Sequence, residues 1–91
     1  MHADAATPQQ SYGFRPAFLD WRTMRIYPSR YVDGRLATFH LLEGLPDEVI
    51  VDRLPSGRVA AVRSTLVSGY ERDGYFYTRR QAARACREWF T

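Results

Sequence analysis

The side chains able to do chemistry are two histidines, one cysteine, ten carboxylates and thirteen basic residues, every one of them arginine. A structural zinc site takes four Cys or His ligands, and a catalytic one takes three with an open position. One Cys and two His, with His2 in the N-terminal segment, meet neither demand. His40 and Glu43 stand three apart, a spacing that brings side chains together on a helix but sends them to opposite faces of a strand. His40 is therefore expected on the partly exposed face of a strand. No metal or other cofactor is expected.

Nucleophilic chemistry is equally poorly supplied. Cys86 falls in an apolar stripe, where a thiol is raised in pKa and unreactive. Ser56, Ser64 and Ser68 are not embedded in G-x-S-x-G, the strained turn that exposes a catalytic serine. None of the six glycines belongs to a phosphate-binding G-x-G-x-x-G or Walker pattern. Glu43, Asp47, Glu48, Asp52, Glu71 and Asp73 fit turns and solvated strand edges better than an acid/base pair. No catalytic motif emerges.

What remains is a cationic cluster. Arg79, Arg80, Arg84 and Arg87 are opposed from residue 79 onward only by Glu88. Residues 1–54 carry six Arg against seven acids, net −1, and residues 55–91 carry seven Arg against three acids, net +4. Arg79 and Arg80 would stand in the first turn of a helix, where the dipole disfavours cations by a few tenths of a kcal/mol. Tyr70, Tyr75, Phe76 and Tyr77 precede the cluster and offer stacking or interface faces. Asp73-Gly74-Tyr75-Phe76-Tyr77 is not the RRM signature: its first position is acidic, and no small residue separates the aromatics. A competing account of the arginines is codon usage. The chain has neither Lys nor Asn, as expected of a GC-rich coding sequence of bacterial type.

The elements that must position these residues can be read from turns and periodicity. Residues 1–13 are small and polar and are expected to be a flexible tail, with one α+β domain over residues 14–91. Phe14, Phe18 and Trp21 recur at helical spacing behind Pro16, predicting a short N-terminal helical turn that leads into a strand. From residue 30 to 77 the pattern is that of an antiparallel meander of four to five strands. Asp33-Gly34 and Asp73-Gly74 suit two-residue hairpins. Glu43–Asp47 and Pro55-Ser56-Gly57 mark further turns. Val49–Val51 reads as a buried strand and Arg58–Val67 as one continuous strand.

The last element is the plainest. Thr78 followed three residues later by Gln81 fits a capping box. Beyond it Ala82, Ala83, Ala85, Cys86, Trp89 and Phe90 share an arc of about 160°. This predicts a C-terminal amphipathic helix packed on one face of the sheet, with Arg80, Arg84 and Arg87 on the other side.

Composition sets the outer bounds. Ninety-one residues, 45% apolar and 25% charged, suit one globular domain. A single Cys excludes an intrachain disulfide framework. No apolar run approaches the roughly 20 residues that cross a bilayer, and the first thirteen residues lack a signal-peptide pattern. A cytoplasmic protein without membrane contact is expected.

The functional expectation is a non-catalytic binding module. Its Arg-rich helix would meet an anionic macromolecule, either nucleic acid or an acidic protein surface. The alternative is an interaction or assembly subunit, a homodimer included, acting through sheet edges and exposed aromatics. An enzyme with an unseen cleft is the third reading.

Overall fold

The computed structural model describes residues 13–89, with side chains described as far as Cys86. Six strands and one helix follow one another: β1 (Arg15–Asp20), β2 (Arg25–Pro28), β3 (Ile50–Arg53), β4 (Val59–Val62), β5 (Leu66–Arg72), β6 (Tyr75–Tyr77) and α1 (Arg79–Trp89). A 3₁₀ turn, Asp47–Val49, precedes β3. The fold is α+β. It contains a four-stranded antiparallel sheet in the order β2-β1-β5-β6 and a separate β3-β4 pair.

Several local expectations change. Phe14–Trp21 is not helical: β1 runs through it, and the half-exposed Trp21 opens the turn to β2. Pro16 removes a donor from β1, a strand with neighbours on both sides, but its carbonyl accepts from the Ser29 N–H at 2.9 Å and the Ser29 carbonyl takes the Ala37 N–H at 2.9 Å instead. The strands do not form one meander. β5 pairs along its length with β1, from Arg15↔Glu71 to Asp20↔Leu66, so the first and last parts of the chain share a sheet.

The continuous strand expected over Arg58–Val67 is broken at Arg63-Ser64-Thr65. The Arg63 N–H goes to Val49 O at 2.9 Å, and the Leu66 N–H closes a turn on Arg63 O at 3.0 Å. Around Asp33-Gly34 the Tyr31 N–H bonds Arg35 O, enclosing three residues rather than two, with Gly34 at φ 93°. Only an isolated bridge, Arg30↔Leu36, accompanies that turn. No strand forms over residues 36–42, where the meander read from residue 30 onward would place one after the Asp33-Gly34 turn.

Asp73-Gly74 does form a two-residue hairpin. Both residues have positive φ, 56° and 85°, the requirement of a type I′ turn.

Register places Pro16, Phe18, Asp20, Tyr27, Leu66, Tyr70 and Tyr77 on one face of the large sheet. Both described cores lie on that face. One contains Phe14, Tyr70 and Ala82, with Tyr77, Ala85 and Cys86 packed against it. The other contains Phe18, Leu45 and Val49, flanked by Tyr27, Leu42, Ile50, Val62 and Leu66.

His40 sits between them in a loop rather than on the expected strand. Its ring lies edge-on to Phe18 and to Tyr70, each 5.4 Å between centroids, and its Nε2 is 2.8 Å from Gly69 O. The glycines here are dictated by packing. A Cβ on Gly69 would collide with the Phe76 ring and Tyr77 O, and one on Gly44 with the Arg30 and Tyr31 carbonyls.

Candidate functional site: a groove between the edge strand and the helix

The capping box forms as the sequence requires. The Thr78 N–H donates to Gln81 Oε1 at 2.8 Å, and the Gln81 N–H donates to Thr78 Oγ1 at 3.1 Å. These bonds satisfy two donors otherwise orphaned at the helix start and fix the angle at which α1 leaves β6. Ala82 is fully buried against Phe14 and Tyr70, so α1 rests on the sheet through a small residue and lies close to it. Cys86 packs on the same core. Burial pushes its thiol up, and nearby Arg72 offsets part of that.

The outcome is an open groove of about 370 Å³ lined by Tyr75, Phe76, Tyr77, Gln81, Arg84 and Ala85. Among the described residues β6 is the edge of its sheet, so the groove runs beside a strand with no described neighbour on its outer side. Tyr75 is 71% exposed. Arg79, Arg80 and Arg84 are exposed, and the first turn of the helix holds no acid. Gln81 spends Oε1 on its own cap, and an amide nitrogen remains able to donate.

Of the residues expected at a site, Tyr75, Tyr77 and Arg84 are brought together here. Arg79 and Arg80 stand on the adjoining first turn. Tyr70 is not available as a stacking face: at 6% exposure it is a core residue under α1. Arg87 and Trp89 fall within α1, but their side chains lie outside the described residues. Phe90 and residues 1–12 of the expected tail lie outside them altogether.

The sequence reading missed Arg72. Its guanidinium lies 4.2 Å from the Phe14 ring centroid and 5.4 Å from that of Tyr77, within cation–π range. It braces the Tyr77 wall of the groove. Its place one residue before Asp73-Gly74 was the available signal, because it fixed Arg72 opposite Tyr75.

A second recess, of about 300 Å³, opens at the far end of β5 and is lined by Asp20, Arg22, Thr23, Arg25, Tyr27, Glu48 and Arg63. Among the described residues no group of His, Cys, Asp and Glu is arranged to hold a metal ion. No described helix is long and apolar enough to cross a membrane. No family model matches the chain, and neither a curated protein nor a solved structure is detectably similar to it.

Proposed function

We propose that the chain is a non-catalytic binding module that takes an anionic partner, single-stranded nucleic acid, along the groove between β6 and α1. The observation that carries this reading is the exposed ring of Tyr75 in the same recess as Arg84 and the Gln81 amide. Aromatic faces beside cations are what unpaired bases and their phosphates require. Stacking is worth about 1–3 kcal/mol per base and tolerates any sequence. Exposed tyrosine on an edge strand and arginine on a solvent face are each ordinary. Their convergence in one groove supports more than either alone.

The test is fluorescence anisotropy with labelled single-stranded oligonucleotides across a salt series. Contacts from Arg79, Arg80 and Arg84 give a log–log salt slope of about −2, at about −0.7 per phosphate. Arg84→Glu should weaken binding at least tenfold, a difference of about 1.4 kcal/mol, while Arg58→Glu in the distant β3–β4 turn should not. Equal effects from both variants, or no binding at low salt, would overturn the reading.

A second reading, assembly with another copy, is favoured by the face of the sheet opposite the two cores. There Leu19, Ile26 and Phe76 are half-buried and Val67 is 39% exposed. A dimer in sedimentation that is insensitive to salt would support it.

A further inference from the structure

The recess at the β1–β2 turn is built from three separated stretches of chain, the β1–β2 hairpin, the 3₁₀ turn and the end of β4. Asp20, Arg22 and Thr23 come from the end of β1 and its turn, and Arg25 and Tyr27 from β2. Glu48 comes from the 3₁₀ turn and Arg63 from the end of β4. Three guanidinium groups face two carboxylates, so the lining carries a formal +1. Each arginine is anchored at one point. Arg63 Nε donates to Glu48 O at 2.6 Å. Arg25 Nη1 lies 3.3 Å from Glu48 Oε2, which also accepts from the Tyr27 hydroxyl. Arg22 Nη2 stands 3.6 Å from Asp20 Oδ2. The terminal nitrogens of Arg63 have no hydrogen bond to a described residue.

Asp20 makes the recess more than an ion-pair network. Its side chain is 1% exposed. Oδ1 accepts from Thr65 Oγ1 at 2.7 Å and from the Arg22 N–H at 3.0 Å. Oδ2 is buried and accepts no hydrogen bond from a described residue. A buried carboxylate oxygen without a donor is costly and calls for one. The Arg22 guanidinium is too far away to supply it. That side chain is half exposed and lines the recess beside Asp20.

We propose that this recess binds a phosphate group in its protonated, monoanionic form. The three guanidinium groups meet the charged oxygens, and the P–OH donates to Asp20 Oδ2. The formal +1 of the lining matches a monoanion. Sulfate is excluded because it is fully ionised near neutral pH and has no proton to give Asp20. This site is separate from the β6–α1 groove and does not depend on that reading.

Calorimetric titration with inorganic phosphate, methyl phosphate and sulfate tests the proposal, with ¹⁵N shifts locating the bound ion. Phosphate and methyl phosphate should bind with shifts confined to residues such as Arg22, Thr23, Arg63 and Thr65. As pH rises through the second ionisation, methyl phosphate, which loses its only P–OH, should weaken more steeply than inorganic phosphate, which keeps one. The tighter of phosphate and methyl phosphate shows whether the source is the free ion or a monoester. Arg63→Gln and Arg22→Gln should each weaken binding about tenfold, the loss of one charged contact. Arg84→Glu should leave it unchanged. Asp20→Asn keeps an acceptor for Thr65 and places a donor toward the ion, so sulfate should then bind. Equal binding of sulfate and phosphate to the wild type would overturn the proposal. So would absence of phosphate binding, or shifts confined to Tyr75–Ala85.

Discussion

Asp20 ties together two turns that lie 45 residues apart. Its carboxyl is held below the ordinary aspartate range, chiefly by the Thr65 hydroxyl, with the Arg22 N–H and the Arg22 and Arg63 charges adding and burial opposing. The Tyr27 hydroxyl does the same for Glu48, and Glu48 in return raises the Tyr27 phenol. A depressed pKa means that the folded state binds fewer protons than the unfolded chain. The stability it contributes is complete above the unfolded aspartate value of about 3.9. It is lost as pH falls through the lower folded value. Thermal melts should therefore show stability dropping through that acid window. Asp20→Asn should flatten the drop, leaving the part due to Glu48. An Asp20→Asn curve parallel to wild type would remove Asp20 from the account.

Among the elements, α1 depends on its first turn. Arg79 and Arg80 oppose the helix dipole there, and the reciprocal Thr78–Gln81 bonds compensate. Thr78→Ala should cost about 0.5–2 kcal/mol in chemical denaturation. Because α1 forms one wall of the groove, that variant should also loosen oligonucleotide binding without touching a contact residue. Unchanged stability would mean that packing through Ala82, not the cap, holds the helix.

This end of the chain was also the most legible in the sequence. The hairpin at Asp73-Gly74 and the cap at Thr78 are local: a few neighbouring residues carry the whole signal. The pairing of β5 with β1 is not local, and no spacing within either strand announces Arg15↔Glu71. Phe14, Phe18 and Trp21 have helical spacing, yet β1 forms because Phe14 and Phe18 each join a core on one face of a sheet. The break at Arg63–Thr65 had a signal in Ser64-Thr65, outweighed by the apolar residues on either side. Tyr75, Tyr77 and Arg84 were legible because hairpin and helix are consecutive. The Asp20 recess was not, because its three stretches of chain meet only in the folded protein.

At the scale of the whole molecule, the described fold is thin, with extents of 47 × 30 × 17 Å. Two small cores share one face of the sheet, joined by the His40 ring. β5 runs the length between two basic recesses, starting at Leu66 opposite Asp20 and ending at Arg72 opposite Tyr75. The net positive half of the chain thus supplies the whole groove and one arginine of the second recess. On the reading proposed above, the groove, rather than the arginines at large, engages the partner. The most direct measurement is ¹⁵N chemical-shift mapping of the wild type titrated with a short single-stranded oligonucleotide. Shifts should concentrate on Tyr75–Tyr77, Gln81, Arg84 and Ala85, and should be lost in Tyr75→Ala at unchanged stability. Shifts spread evenly over Arg15, Arg53, Arg58 and the helix, surviving in Tyr75→Ala, would contradict that reading.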